Sequence, residues 1–303
     1  LSDRSFPSKV LLFGEYSVIK SSNALAIPYG LFEGKLVFKR QNEGTKDPEL
    51  RALSSHLKKL DNLGELPSGF DVSSFDFDVG QGLVFDSSIP QGYGVGSSGA
   101  LVAAIYDRYC QSVESNEVNI EALKRDFSLI EGHFHGSSSG FDPLVSYLNS
   151  AILNELDKGL TPMSLKANKS GEGAIFLLNT GRSRKTEPLV NLFLEKCKSE
   201  EFSILCEREL NPVTNNCIDS FLSNELQSLW DNFTVLSQFQ YKHFSPMIPK
   251  LYHDLWREGL DQHKYLLKLC GAGGGGFLMG MTRNFKECSK SLSDFEIRSL
   301  IRI

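Results

Sequence analysis

The chain is 303 residues long, too many for one comfortable core and suited to two packed domains of ~150 residues each. Its content of 41% hydrophobic and 23% charged residues is that of an ordinary soluble globular protein. A net charge of −5 argues against a general nucleic-acid binder, because counterion release needs a basic surface, so an anionic ligand must be held by a local cluster of donors.

The chain opens on strands. Residues 9–13 (KVLLF) are β-rich and end at Gly14, and residues 34–39 alternate as a second strand does. The stretch 41–48 is polar, with Gly44 and Pro48, and reads as a loop or hairpin end. Residues 51–63 are predicted helical, with Leu53, Leu57 and Leu60 on one face. Residues 75–79 (FDFDV) alternate and are predicted as a strand. After Pro90 a glycine-rich loop, 91–99, runs directly into the strong helix former ALVAAIYDR. A second amphipathic helix follows, with Asn119 as its N-cap and Ile120, Leu123, Phe127, Ile130 and Phe134 at helical spacing. It stops at the segment GSSSG, residues 136–140, and a helix or strand restarts near Asp142 and Pro143. Residues 160–173 turn polar and glycine-containing, which sets expected domains of 1–170 and 171–303. A strand is expected at 174–178 and helices at 187–200 and 213–240. A final glycine run, 271–276, sits between the strand-like segments 266–269 and 277–279.

Six cysteines are scattered without a CxxC pair, a spacing that suits neither a zinc site nor a disulfide scaffold and implies reduced thiols in a cytosol. The apolar run 100–106 is far short of the ~20 residues that span a bilayer. No basic segment followed by an apolar core opens the chain, so no secretory leader is expected, and the expected location is cytoplasmic with no membrane partner.

The glycine loops carry the chemistry. In the loop 92–99 (GYGVGSSG) the glycines let backbone approach a ligand, and the helix that follows aims its free N–H groups at it. Ser97 and Ser98 add hydroxyls for Mg²⁺ or a phosphate oxygen. Gly94, Gly96 and Gly99 also satisfy a dinucleotide-binding fingerprint, with Glu114 and Glu117 about 20 positions on. Against that reading, Pro90 and Gln91 interrupt the strand-to-loop junction, and the acids lie in a polar stretch. No GxxxxGK[ST] occurs. The GSSSG segment matches a nucleophile elbow on paper, yet a predicted helix precedes it where a strand is required. His133 and His135 have metal-ligand spacing on a strand, but on a helix they face apart. Consecutive glycines in the run 271–276 are costly to order and make sense where backbone wraps a ligand or another loop.

Taken together these motifs resemble those of the GHMP kinases. The pattern Pro90-x-Gly92-x-Gly94-x-Gly96-Ser97-Ser98-x-Ala100 resembles the family's phosphate loop, and residues 271–276 (GAGGGG) its C-terminal glycine motif. Residues 7–18 (PSKVLLFGEYSV) are similar to the opening of the mevalonate and phosphomevalonate kinase branch. Residues 131–142 (EGHFHGSSSGFD) resemble the mevalonate kinase segment in which a Glu precedes an Asp by eleven residues.

The resemblance implies an α+β, two-domain GHMP kinase fold, with a ribosomal-S5-like N-terminal domain and a ferredoxin-like C-terminal domain. It implies ATP and Mg²⁺ as cofactors and a small alcohol such as mevalonate as substrate. Asp142 and Lys9 would be catalytic, with Asp142 a base or an orienting group. Gly92, Gly94, Gly96, Ser97, Ser98, Gly271, Gly273 and Gly274 would hold ATP, and Ser98 and Glu131 the metal. Glu15, Tyr16, Arg184 and Thr186 would lie on the substrate side, and a monomer or homodimer is expected. The departures are Ser8 for Gly, Gly99 for Ala, Tyr16 for His, and Cys270 for Thr or Ser. None removes a charged catalytic group, although Tyr16 leaves phosphomevalonate or another small alcohol open. A different GHMP kinase, or a catalytically silent ligand-binding protein of this fold, are the alternatives. Retention of Lys9, Glu131 and Asp142 together argues against the silent one.

Overall fold

A computed structural model of the chain describes residues 4–39, 47–111, 119–136, 138–165, 171–184 and 187–303. Thr186, Glu114 and Glu117 lie outside the described residues, as do most of the loop predicted at 41–48 and part of the stretch 160–173. The chain divides into two compact units: Leu1–Lys9, Pro28–Pro90 and Gly96–Ser150 form the first, and Val10–Ile27, Gln91–Val95 and Ala151–Ile303 the second. Two strands, β1 (Phe6–Phe13) and β2 (Ala24–Phe38), contribute residues to each. Both are longer than the patterns at 9–13 and 34–39 imply.

The first unit continues with α1 (Pro48–Leu63), α2 (Val72–Gly80), β3 (Leu83–Ser87), α3 (Ser97–Tyr109), α4 (Ile120–His135) and α5 (Phe141–Leu148). β3 pairs antiparallel with the later half of β2, Gly34 opposite Ser87 and Phe38 opposite Leu83. Asp47 caps α1 by accepting the amides of Glu49 and Leu50, Pro48 occupies the first turn, and Leu50, Leu53 and Leu57 are buried. The predicted strand at 75–79 is instead α2. Asp71 accepts the Ser74 amide at 2.9 Å as its N-cap, and Phe75 and Val79, four residues apart, share the buried face. Phe77, which a strand would place with them, is 64% exposed. The same letters satisfy both periods over so short a window, and the capping aspartate decides between them. In α3 every residue from 99 to 105 is buried, the behaviour of a helix at the centre of a core. Asn119 caps α4 through the Ala122 amide at 3.0 Å, as its position predicts. The restart near Asp142 is helical: Gly140 adopts the left-handed conformation (φ 70°) and α5 begins at once.

The second unit holds β4 (Ala151–Glu155), β5 (Gly159–Met163), β6 (Ala174–Asn179), α6 (Glu187–Cys197), α7 (Glu200–Leu205), α8 (Asn211–Leu222) and α9 (Leu226–His243). It ends with α10 (His253–Gln262), β7 (Leu266–Leu269), β8 (Phe277–Thr282), α11 (Phe285–Ser291) and β9 (Ile297–Arg302). β4 pairs with residues 24–26 of β2 on one side and with β5 on the other. A four-stranded antiparallel sheet runs β7-β8-β6-β9. The helix predicted at 213–240 is two helices, α8 and α9, separated at 223–225 where Asn224 takes a positive φ of 56°. A π-helical segment, Cys206–Leu210, joins α7 to α8. Among the described residues no helix is long and apolar enough to cross a membrane.

Candidate active site

The first unit gathers four of the predicted polar residues. Lys9, on β1, is 8% exposed at its side chain, and its Nζ lies 2.8 Å from Oδ1 of Asp142. Asp142 sits in the first turn of α5, where the positive end of the helix dipole favours a carboxylate, and keeps 35% of its side chain exposed. Glu131, on α4, is buried. Its Oε1 accepts the Ser98 hydroxyl at 3.1 Å and its Oε2 accepts the Ser138 hydroxyl. Burial pushes the Glu131 carboxyl up to about 7, with the nearby charge of Asp142 adding to the rise and Ser138, Ser98 and Lys9 opposing it. Such a carboxylate gains from a further positive charge. Among the described residues no three His, Cys, Asp or Glu side chains converge on one point. A cation held by one carboxylate and one hydroxyl needs no such cage, since Mg²⁺ takes most of its oxygens from water and phosphate.

The loop that carries Ser97 and Ser98 owes its shape to glycine. Gly96 takes φ 76° as the N-cap of α3, and a Cβ there would lie 2.7 Å from the Lys9 Cγ. Gly99 has a packing reason: a Cβ would stand 2.9 Å from the Asp142 carbonyl carbon. Glycine at 99 therefore lets α3 ride directly on the start of α5, and this close approach sets the position of Asp142.

In the second unit Gly92, Gly94, Gly271 and Gly274 meet Arg184, whereas Gly273 packs against Met247 and Leu269. Gly92 and Gly94 both take positive φ, and Gly92 O accepts the Arg184 amide at 3.0 Å. The Arg184 guanidinium passes between the two loops: Cβ atoms built on Gly94 and Gly271 would lie 2.4 and 2.7 Å from its Nη2. Nη2 donates to Cys270 O at 3.3 Å. Gly271, Gly273 and Gly274 are all left-handed, and Thr180 Oγ1 donates to Gly276 O at 2.7 Å. The run 271–276 is thus a shaped loop tied at several points, not a flexible linker.

Glu15 and Tyr16, expected on the substrate side, have their polar atoms engaged within the second unit. The Glu15 carboxylate pairs with Lys268 Nζ at 2.5 Å, with side-chain exposures of 2% and 0%. Burial raises the Glu15 pKa and the Lys268 charge opposes the rise. The Tyr16 hydroxyl donates to Ala272 O at 2.5 Å, and burial raises its pKa. Two polar residues of these clusters escaped sequence reasoning. Ser138 was hidden among three adjacent serines, whereas Lys268 left a signal: a lone lysine inside an apolar strand must find a buried partner.

This architecture is the GHMP kinase fold. Residues 51–150 match the family model described as the GHMP kinases N terminal domain. The chain therefore carries a GHMP kinase N-terminal domain within the fold that the GHMP kinases share. Its fold is shared with L. major mevalonate kinase in complex with R-mevalonate, at TM-score 0.61 and 17% identity over 95% of this chain and 89% of that one. It is also shared with Streptococcus pneumoniae phosphomevalonate kinase in complex with phosphomevalonate and AMPPNP, at 0.65 and 13% over 98% and 99%. Lactococcus lactis galactokinase complexed with galactose aligns at 0.68 and 14% over 98% and 92%. No curated protein sequence matches the chain.

Proposed function

We propose that this chain transfers the γ-phosphoryl group of ATP to the primary alcohol of a small carboxylic acid, with mevalonate as the favoured acceptor. The observation that carries the reading is the Lys9–Asp142 pair at 2.8 Å in the same unit as the Ser98–Glu131 contact. Phosphoryl transfer needs positioning and charge stabilisation more than covalent chemistry, and this donor set supplies both. In the reaction the alcohol oxygen bonds to the γ-phosphorus, the bond to ADP breaks, and the hydroxyl proton passes to the Asp142 carboxylate. Lys9 neutralises charge on the reacting oxygens and orients Asp142. Ser98 and Glu131 are the residues that would hold Mg²⁺, which when bound neutralises phosphate charge. Gly92, Gly94, Gly96 and Ser97 offer backbone N–H and hydroxyl donors to the phosphates, the chemistry of a glycine loop before a helix N-terminus.

Mevalonate is favoured over phosphomevalonate on charge. A phosphate monoester carries about two negative charges near neutral pH. The basic groups near the matched segments are Lys9, Arg184 and Lys185, and Lys9 is committed to the reacting oxygens. Arg184 and Thr186 are assigned to the acceptor's carboxylate. ADP release, measured by a coupled assay across mevalonate, phosphomevalonate, galactose and homoserine, tests the reading. The highest kcat/KM is expected for mevalonate; a higher value for phosphomevalonate overturns the substrate and keeps the kinase, and no turnover of any alcohol overturns both.

A further inference from the structure

The start of the glycine run is held by side chains at consecutive backbone groups. Gln240 Oε1 accepts the Leu269 amide at 2.7 Å, and Lys268 Nζ donates to Leu269 O at 2.8 Å. Arg184 Nη2 donates to Cys270 O, the Tyr16 hydroxyl donates to Ala272 O, and the Gly271 backbone lies close enough to the Glu15 carboxylate to favour its charged form. Two of these anchors are a charged pair with almost no exposure, on a strand that is otherwise Leu-Leu-Leu. Burying two charges is costly, and well-packed apolar residues of the same volume often serve stability as well or better. The pair therefore calls for a role other than stability, and its surroundings show where that role lies: Lys268 Nζ bonds the Leu269 carbonyl, and the Glu15 carboxylate it holds lies beside the Gly271 backbone.

We propose that Glu15 and Lys268 are positioning residues, a buried strut that holds backbone 269–272 in one conformation and so presets the glycine run for the nucleotide. This inference rests on the kinase reading above. It assigns Glu15 a role away from the substrate. Removing one partner strands the other's charge, and the loop relaxes to solvate it. Removing both leaves no buried charge to solvate, and a glutamine side chain in place of Glu15 still offers an oxygen beside the Gly271 backbone.

The test compares Glu15→Gln, Lys268→Met and the double variant, with Tyr16→Phe as a milder probe that removes only the hydroxyl on Ala272. Deuterium uptake at amides 269–276 is read without ligand, and KM for ATP and for the acceptor are read separately. Each single variant is expected to speed exchange in this segment and raise the ATP KM about tenfold, with the acceptor KM moved far less, while the double variant recovers most of both effects. Tyr16→Phe should move exchange the same way by a smaller factor. A double variant that folds while the singles do not is the same compensation. The proposal is overturned if Lys268→Met behaves as wild type, or if Glu15→Gln raises chiefly the acceptor KM with no recovery in the double variant. A wild-type protein that turns over no alcohol refutes the kinase reading alone, because the exchange pattern still reports on the strut.

Discussion

Replacing Glu131 by glutamine tests the buried carboxylate through its pH dependence. In the folded chain the carboxyl is pushed up to about 7, first by burial and then by the Asp142 charge. In the unfolded chain it returns to the ordinary value of about 4.3. A raised acid favours the folded state while protonated, so its contribution is intact below the unfolded value and is lost as pH rises through about 7. A displacement of this size corresponds to about 3 kcal/mol between pH 4 and pH 8. Glutamine keeps the shape and an acceptor for one hydroxyl but carries no charge to bury. The stability of Glu131→Gln relative to wild type should therefore improve by about 3 kcal/mol from pH 4 to pH 8, or ~5 °C in Tm for a chain of this length. Thermal unfolding followed by circular dichroism across that range reads the difference, which cancels every titration the two proteins share. Parallel curves would refute burial of this carboxylate as the source of its shift. A linked result follows if Ser98 and Glu131 hold the metal: binding of Mg²⁺ with AMP-PNP to wild type at pH 6.5 should release a proton, seen as a buffer-dependent calorimetric enthalpy, and the variant should release none from this site.

Asp142→Asn should lower kcat by about 10²- to 10⁴-fold with nucleotide affinity nearly intact, because the carboxylate acts on the hydroxyl proton and not on the phosphates. Near-normal turnover in that variant removes Asp142 from the chemistry. Gly99→Ala should destabilise the chain by about 1–3 kcal/mol, since a Cβ would stand 2.9 Å from backbone that has little room to yield. An unchanged Tm would show that α3 and α5 are not in that close contact in solution.

Much of the fold and several members of the candidate site were legible in the sequence. The N-cap at Asn119 and the glycine loop before α3 were readable because each is a local rule, satisfied within four residues. Lys9, Glu131, Ser98 and Asp142 were readable through family spacing, and the structure brings them together in two contacts of one unit. Other features leave only a weak local trace, or none. The alternation at 75–79 fits a strand and a helix equally until Asp71 is seen to cap it. The break between α8 and α9 falls in Ser223-Asn224-Glu225, with no proline or glycine to announce it; only Asn224, tolerant of a left-handed turn, marks it. The partner of Lys268 lies 253 positions away, beyond any window of pattern reading.

Three of the four departures from the resembled pattern, at Gly99, Tyr16 and Cys270, acquire a common physical sense once the contacts are known. Gly99 in place of alanine removes a methyl group at the point where α3 touches the backbone of Asp142. Tyr16 in place of histidine extends a hydroxyl to Ala272 O, and its ring packs 4.8 Å from Phe193 and 5.1 Å from Phe244. Cys270 in place of a hydroxyl residue is fully buried, and it is its carbonyl that Arg184 uses. A threonine or serine there would bring a hydroxyl needing its own partner in the interior, whereas a thiol behaves as a small apolar group. Each of these three therefore acts on the backbone that carries or borders a proposed functional group and not on that group itself. An unused buried carboxylate lowers stability at neutral pH, so Glu131 buried between two hydroxyls is a cost that the proposed role in holding a cation would offset.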